Sequence, residues 1–215
     1  MTLRFLIYIL CLFFIFFYST YNYKRLKPYA RGIFLLISVV LLSEIASKVV
    51  GHYYKVSHPT YHVLTPLFFF LYLSIYLKLF YFNNFIRLIL ITIASLAFLS
   101  SIYISFFVQS IFEFPTYTFS FLSFYVVLSS LIGFNCMLSN PIDIPLLRQP
   151  AFWFNFGNVL FYCVTFFTFG FFNPIYKLLK TIPEWLYLLI WFMNLILYRS
   201  YFLTLRLSLK PNQAE

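Results

Sequence analysis

The sequence predicts an all-α fold: a polytopic transmembrane bundle of seven helices in a single domain, N-terminus outside and C-terminus cytoplasmic. Three observations lead there. The 215 residues are 63% hydrophobic and only 9% charged, with a mean hydropathy of +0.89, whereas a soluble domain carries roughly a quarter charged residues. Seven apolar runs alternate with clusters of proline, asparagine and charge. Lys and Arg are divided unevenly between alternate connections. Spans of about 20 residues would fill roughly 140 positions, which leaves short connections and no extramembrane domain.

The first run, 3–18, ends at the patch Asn22, Lys24, Arg25, Lys27 and Pro28. Arg4 before an apolar stretch resembles the start of a signal peptide. The run is long for that role and no small-x-small site follows, so a retained span is expected. The second run, 33–50, ends at Gly51-His52, and the third, 61–80, begins past His58-Pro59 and stops before Asn83-Asn84. The fourth, 85–108, stops before Glu113 and Pro115, and the fifth, 116–137, is closed by Asn140-Pro141. The sixth, 151–172, follows Pro145 and Pro150, and the seventh, 185–207, follows Pro174 and Pro183. Nine of the ten prolines fall in connections, where a missing donor is harmless; Pro66 is expected in a first turn or two. None of the runs shows the short alternation of a barrel strand.

Orientation follows from the basic residues. One side receives Lys24, Arg25, Lys27, Arg31, Lys78, Arg87, Arg148, Arg199, Arg206 and Lys210; the other receives Arg4, Lys48, Lys55, Lys177 and Lys180. The richer side is expected in the cytoplasm. The net charge of +10 then reflects topology and attraction to anionic headgroups, not nucleic-acid binding. Cys11, Cys136 and Cys163 fall inside spans without paired spacing and read as packing residues.

Polar groups inside the membrane are the informative ones. Glu44 and Lys48 are one helical turn apart on the second span, with Ser43 and Ser47 beside them and His52 a turn further out. Either charge alone costs about 2.5 to 3.5 kcal/mol at a helix centre. Two readings stand. Glu44, Lys48 and His52 line a polar cavity that binds a ligand or couples an ion, or Glu44 and Lys48 form a structural pair with Lys48 snorkelling outward. On the sixth span Asn155, Asn158, Tyr162 and Thr165 share one face, with Asn135 and Asn194 at comparable depth on the fifth and seventh. These amides are expected to form an interhelical polar network. Arg199 reads as a snorkelling anchor, and Trp153 and Trp185 as aromatic-belt residues. His52, His58 and His62 cluster at the second connection; Pro59 argues against one helix holding both His58 and His62, and no metal site is expected.

Absences narrow the function. The last span has no lysine for a retinal Schiff base, and no H-E-x-x-H, G-x-S-x-G or P-loop occurs. Five acidic residues are too few for an aspartate-rich metal site. The two halves show no internal repeat, as many transporters do. Ser43-Glu44-Ile45 followed by Tyr61-His62 and Phe68-Phe69-Phe70, and Phe152-Trp153 followed by Asn155, Gly157 and Phe161-Tyr162, resemble small seven-helix integral membrane proteins of Bacteroidota-type bacteria. Some such helical regions stand beside signalling proteins such as sensor kinases. The resemblance implies a bacterial cytoplasmic (inner) membrane and brings no activity with it.

The expectation is therefore a non-enzymatic membrane protein without cofactors, acting as a sensing, accessory or scaffolding module. Its expected partners are the lipid bilayer and a membrane protein or second copy of itself, with no nucleic acid. The alternative is a small solute or ion carrier or channel working through Glu44 and Lys48.

Overall fold

The computed structural model describes residues 3–181 and 183–209; Lys210, counted above on the basic side, lies outside them. Among the described residues the chain is all-α, with seven helices long and apolar enough to cross a membrane. It is an integral membrane protein. Where no water reaches the backbone, a helix satisfies every amide within its own segment, and runs this rich in Leu, Ile and Phe offer no competing partner.

The long helices are α1 (Leu3–Tyr21), α2 (Pro28–Tyr54), α3 (His58–Leu79), α4 (Asn84–Tyr103), α5 (Thr116–Ser139) and α6 (Pro150–Gly170), followed by the short α7 (Phe172–Leu179) and the long α8 (Glu184–Leu207). A π-helical turn, Ile104–Val108, extends α4. Proline begins helices here more often than it separates them. Pro28 and Pro150 open α2 and α6, Pro59 sits in the first turn of α3, and Pro115 and Pro183 immediately precede α5 and α8. A first-turn residue donates no intrahelical bond, and a fixed φ suits it. Two expectations are corrected accordingly. His58 and His62 lie on one helix, and Pro66 falls in the interior of α3, not its first turns. The segment read as a plain connection before Pro183 also contains α7.

Six helices close a ring in the order α1, α2, α3, α5, α6, α8, while α4 packs outside it on α3 and α5. Of the most apolar window of α4 only 17% is buried, against 44% for α3, so α4 is a peripheral helix with a broad lipid-facing side. The ends of the bundle are tied across the chain. Arg4 pairs with Glu184 at 2.9 Å and Lys177 with Glu113 at 3.8 Å at one end, and Leu26 bridges Leu209 at the other. The first end is here the mouth, the second the base.

Glycine sets how closely the ring closes. A Cβ on Gly157 of α6 would stand 2.6 Å from the Ser200 Cβ of α8, and one on Gly133 of α5 would stand 2.7 Å from the Asn155 amide nitrogen of α6. Small residues are what let membrane helices approach to this degree, because lipid supplies no hydrophobic force between them. At α5–α6 and α6–α8 the ring is therefore tight.

Candidate functional site

Towards the mouth the ring opens around a cavity of about 1100 Å³. Arg4, His52, Lys55 and Glu184 stand at its rim, and Tyr72, Tyr162 and Tyr201 at its inner end. Tyr72 is fourteen residues into α3, about 21 Å along the helix axis. The cavity thus passes the middle of a hydrocarbon core about 30 Å thick. Its walls are mainly aromatic, among them Phe68, Phe119, Phe161 and Trp191.

Glu44, Lys48 and His52 of α2 all line this space, since positions one turn apart share a face. Glu44 and Lys48 are nevertheless not an ion pair. The two ion pairs among the described residues are Arg4–Glu184 and Lys177–Glu113, and no N···O contact within 4.0 Å joins Glu44 to Lys48. Each charge has a different neighbour. The Tyr8 hydroxyl of α1 donates to Glu44 Oε1 at 2.9 Å, and Tyr8 also meets the Tyr198 hydroxyl of α8 at 3.2 Å. Because the Tyr8 proton goes to the carboxylate, Tyr198 is the donor to Tyr8. The Lys48 ammonium sits 4.2 Å from the centre of the Phe5 ring, a cation–π contact, and its N–H groups meet no hydrogen-bond acceptor among the described residues. His52 at the rim packs edge-on against Tyr53.

The inner end is sealed by a chain of hydrogen bonds between α3, α5, α6 and α8. Asn158 sets its direction. Its amide oxygen accepts from Tyr201 at 2.7 Å, and its amide nitrogen donates to the Tyr76 hydroxyl at 3.1 Å. Tyr201, having used its proton, accepts from Tyr72 at 2.7 Å, and Tyr72 accepts from Tyr162 at 2.8 Å. On the other side the Tyr76 hydroxyl meets Ser130 Oγ at 2.5 Å and the Val126 carbonyl at 3.5 Å. Tyr72, Tyr76, Tyr201 and Asn158 are buried. Phe154 packs its ring against Tyr72, Tyr76 and Tyr201, and no wall residue of the cavity lies beyond this layer towards the base.

Of the residues expected in the polar network, Asn158 and Tyr162 are therefore in it. Asn155 is buried between α5 and α6, with its amide nitrogen near the Met137 sulfur and its oxygen without a hydrogen-bond partner. Asn194 lines the cavity but donates to the Ile190 carbonyl of its own helix at 3.0 Å. Asn135 stands on the exposed side of α5 without a hydrogen bond to another helix. Neither Asn135 nor Asn194 joins helices, because α5 and α8 present those positions away from their neighbours' polar groups.

The histidines separate into different roles. His62 is buried, its Nε2 donating to the Glu113 carbonyl at 3.0 Å and its Nδ1 accepting from the Ser105 hydroxyl at 2.9 Å. It fastens α3 to the π-helical turn and to the α4–α5 connection. There Gln109 and Asn173 both donate to the Phe114 carbonyl. Among the described residues no three His, Cys, Asp or Glu side chains gather as a metal site would require. The three cysteines are free and half-buried. Arg199 is exposed on α8, and the Trp153 indole donates to the Leu147 carbonyl at 2.8 Å.

The residues that sequence reasoning passed over are the tyrosines: Tyr8, Tyr72, Tyr76, Tyr198 and Tyr201. Among 19 tyrosines they carried no compositional signal. Their spacing did carry one, since Tyr72/Tyr76 and Tyr198/Tyr201 lie at helical intervals at the depth of Asn158. No protein family, curated protein or solved structure matches the chain, so the meaning of the site rests on its own geometry.

Proposed function

We propose that this protein is a non-enzymatic binding module of a bacterial cytoplasmic membrane. In this reading it receives a small molecule in the cavity from the outer side and passes occupancy to a partner protein through helix contacts. The observation that carries the reading is the one-ended cavity, entered at the mouth and stopped by the Tyr72–Tyr201–Asn158–Tyr76 layer. A carrier or channel needs a route through the base, and the hydrogen-bonded layer opposes one. Lys and Arg support the orientation. Lys24, Arg25, Lys27 and Arg31 crowd the base, which favours a cytoplasmic base with the N-terminus and the mouth outside.

Sided labelling tests this. In a background with Cys11, Cys136 and Cys163 replaced by Ser, an Asn194→Cys variant is treated with a membrane-impermeant maleimide from either side of oriented vesicles. Labelling from the outer side alone is expected. Labelling from both sides would favour the carrier or channel reading, and labelling from the cytoplasmic side alone would reverse the orientation.

A further inference from the structure

Glu44 and Lys48 pose a chemical question. Opposite charges one turn apart on a helix, with the acidic residue nearer the N-terminus, are placed to pair. Here each is drawn to α1 instead, Glu44 by the Tyr8 hydroxyl and Lys48 by the Phe5 ring. The carboxylate uses one oxygen on Tyr8, and among the described residues the ammonium donates no hydrogen bond. Both groups line the same cavity. At the rim Glu184 and Arg4 neutralise one another, and Lys55 adds a further cation two turns out from Lys48. Below the rim the wall therefore presents one negative and one positive charge that are not in direct contact with each other, with aromatic surface around them.

We infer that the cavity binds a zwitterion with an apolar body, of the α-amino-acid class, its ammonium on Glu44 and its carboxylate on Lys48. The inference rests on the binding reading above and names its ligand class. A ligand bearing a single charge would engage one of the two groups and weaken its attraction to the other, leaving that one less well compensated. A zwitterion satisfies both while the net charge of the site stays unchanged. The rings of Phe68, Phe161 and Trp191 offer the apolar part a surface to pack against, and the Lys48 ammonium brings strong, charge-assisted donors to a carboxylate.

The test uses the full chain in lipid nanodiscs and follows tryptophan fluorescence, with Trp191 on the cavity wall as reporter. The probes are L-phenylalanine and L-leucine, phenethylamine as the cation alone, and 3-phenylpropionate as the anion alone. Phenylalanine is expected to bind at least about tenfold more tightly than either single-charge analogue. In Glu44→Gln, which keeps an oxygen for Tyr8, its advantage over phenylpropionate should vanish. In Lys48→Met its advantage over phenethylamine should vanish. A single-charge analogue that binds the unaltered protein as tightly as phenylalanine overturns the inference, whether or not the variants fold. So does the absence of binding by both amino acids at about 10 mM. Either failure leaves the sided labelling of Asn194→Cys to decide separately whether the cavity is one-ended.

Discussion

Asn158 holds the inner layer together because an amide is donor and acceptor at once. Its oxygen terminates the run of hydroxyls from Tyr162 through Tyr72 and Tyr201, and its nitrogen starts the short run through Tyr76 to Ser130. Removing it takes the acceptor from Tyr201 and a donor from Tyr76, leaving Tyr72 and Ser130 as their remaining hydroxyl partners. Asn158→Leu is expected to lower unfolding stability in detergent by about 1–3 kcal/mol, and Tyr201→Phe by about 1–2 kcal/mol. Asn135→Leu, on the exposed side of α5, should change it by less than about 0.5 kcal/mol. Denaturant titration followed by circular dichroism checks all three, and equal losses at Asn135 and Asn158 would contradict the assignment. At this scale the sequence was half legible. An asparagine in a span announces itself by its cost, so Asn158 and Glu44 stood out. A tyrosine is at home at an interface or in a core, so the hydroxyls that complete the layer did not.

Between elements, close approach and prolines decide the geometry. Gly157 faces Ser200 where a Cβ would stand 2.6 Å away, so Gly157→Ala should force α6 from α8 and cost about 1–3 kcal/mol. Ser200→Gly in the same chain should recover most of that loss, because it removes the atom met. Thermal unfolding of the two single variants and the double variant checks this; a double variant that merely sums the singles would count against direct contact. At the mouth, His62 joins α3 to the turn after α4. His62→Phe keeps the bulk and removes both bonds, and amide exchange across residues 109–115 should accelerate several-fold while the base of the bundle keeps its protection. The long apolar runs located every spanning helix, since composition alone sets what enters lipid. Helix ends were less legible. Prolines were read as breaks, whereas Pro28, Pro59 and Pro150 occupy first turns, where a missing N–H costs nothing. The amphipathic α7 was hidden because Pro174 sits in its first turn.

The whole molecule is a ring of six helices, tight towards the base and open towards the mouth, with a seventh long helix outside. Scarcity of charge gives the arrangement its meaning. Only 9% of residues are charged, most basic ones stand near the base, and the carboxylate within the spans turns to a shared cavity. The spacing of Glu44, Lys48 and His52 showed that they share a face, but not what faced them. Their separation depends on Phe5, Tyr8 and Tyr198, which arrive from helices at both ends of the chain. No local pattern carries that information.

Water should reach the cavity from the mouth and stop at the tyrosine layer. Hydroxyl-radical footprinting of the protein in nanodiscs, read by mass spectrometry, addresses it residue by residue. Tyr61, Tyr187 and Trp191, on the walls near the mouth, should be oxidised readily, and Tyr76, within the layer, and Tyr125, buried against Phe69 and off the cavity wall, should be protected. Oxidation of Tyr76 and Tyr125 at rates matching the wall residues, or equal protection of both groups, would contradict it.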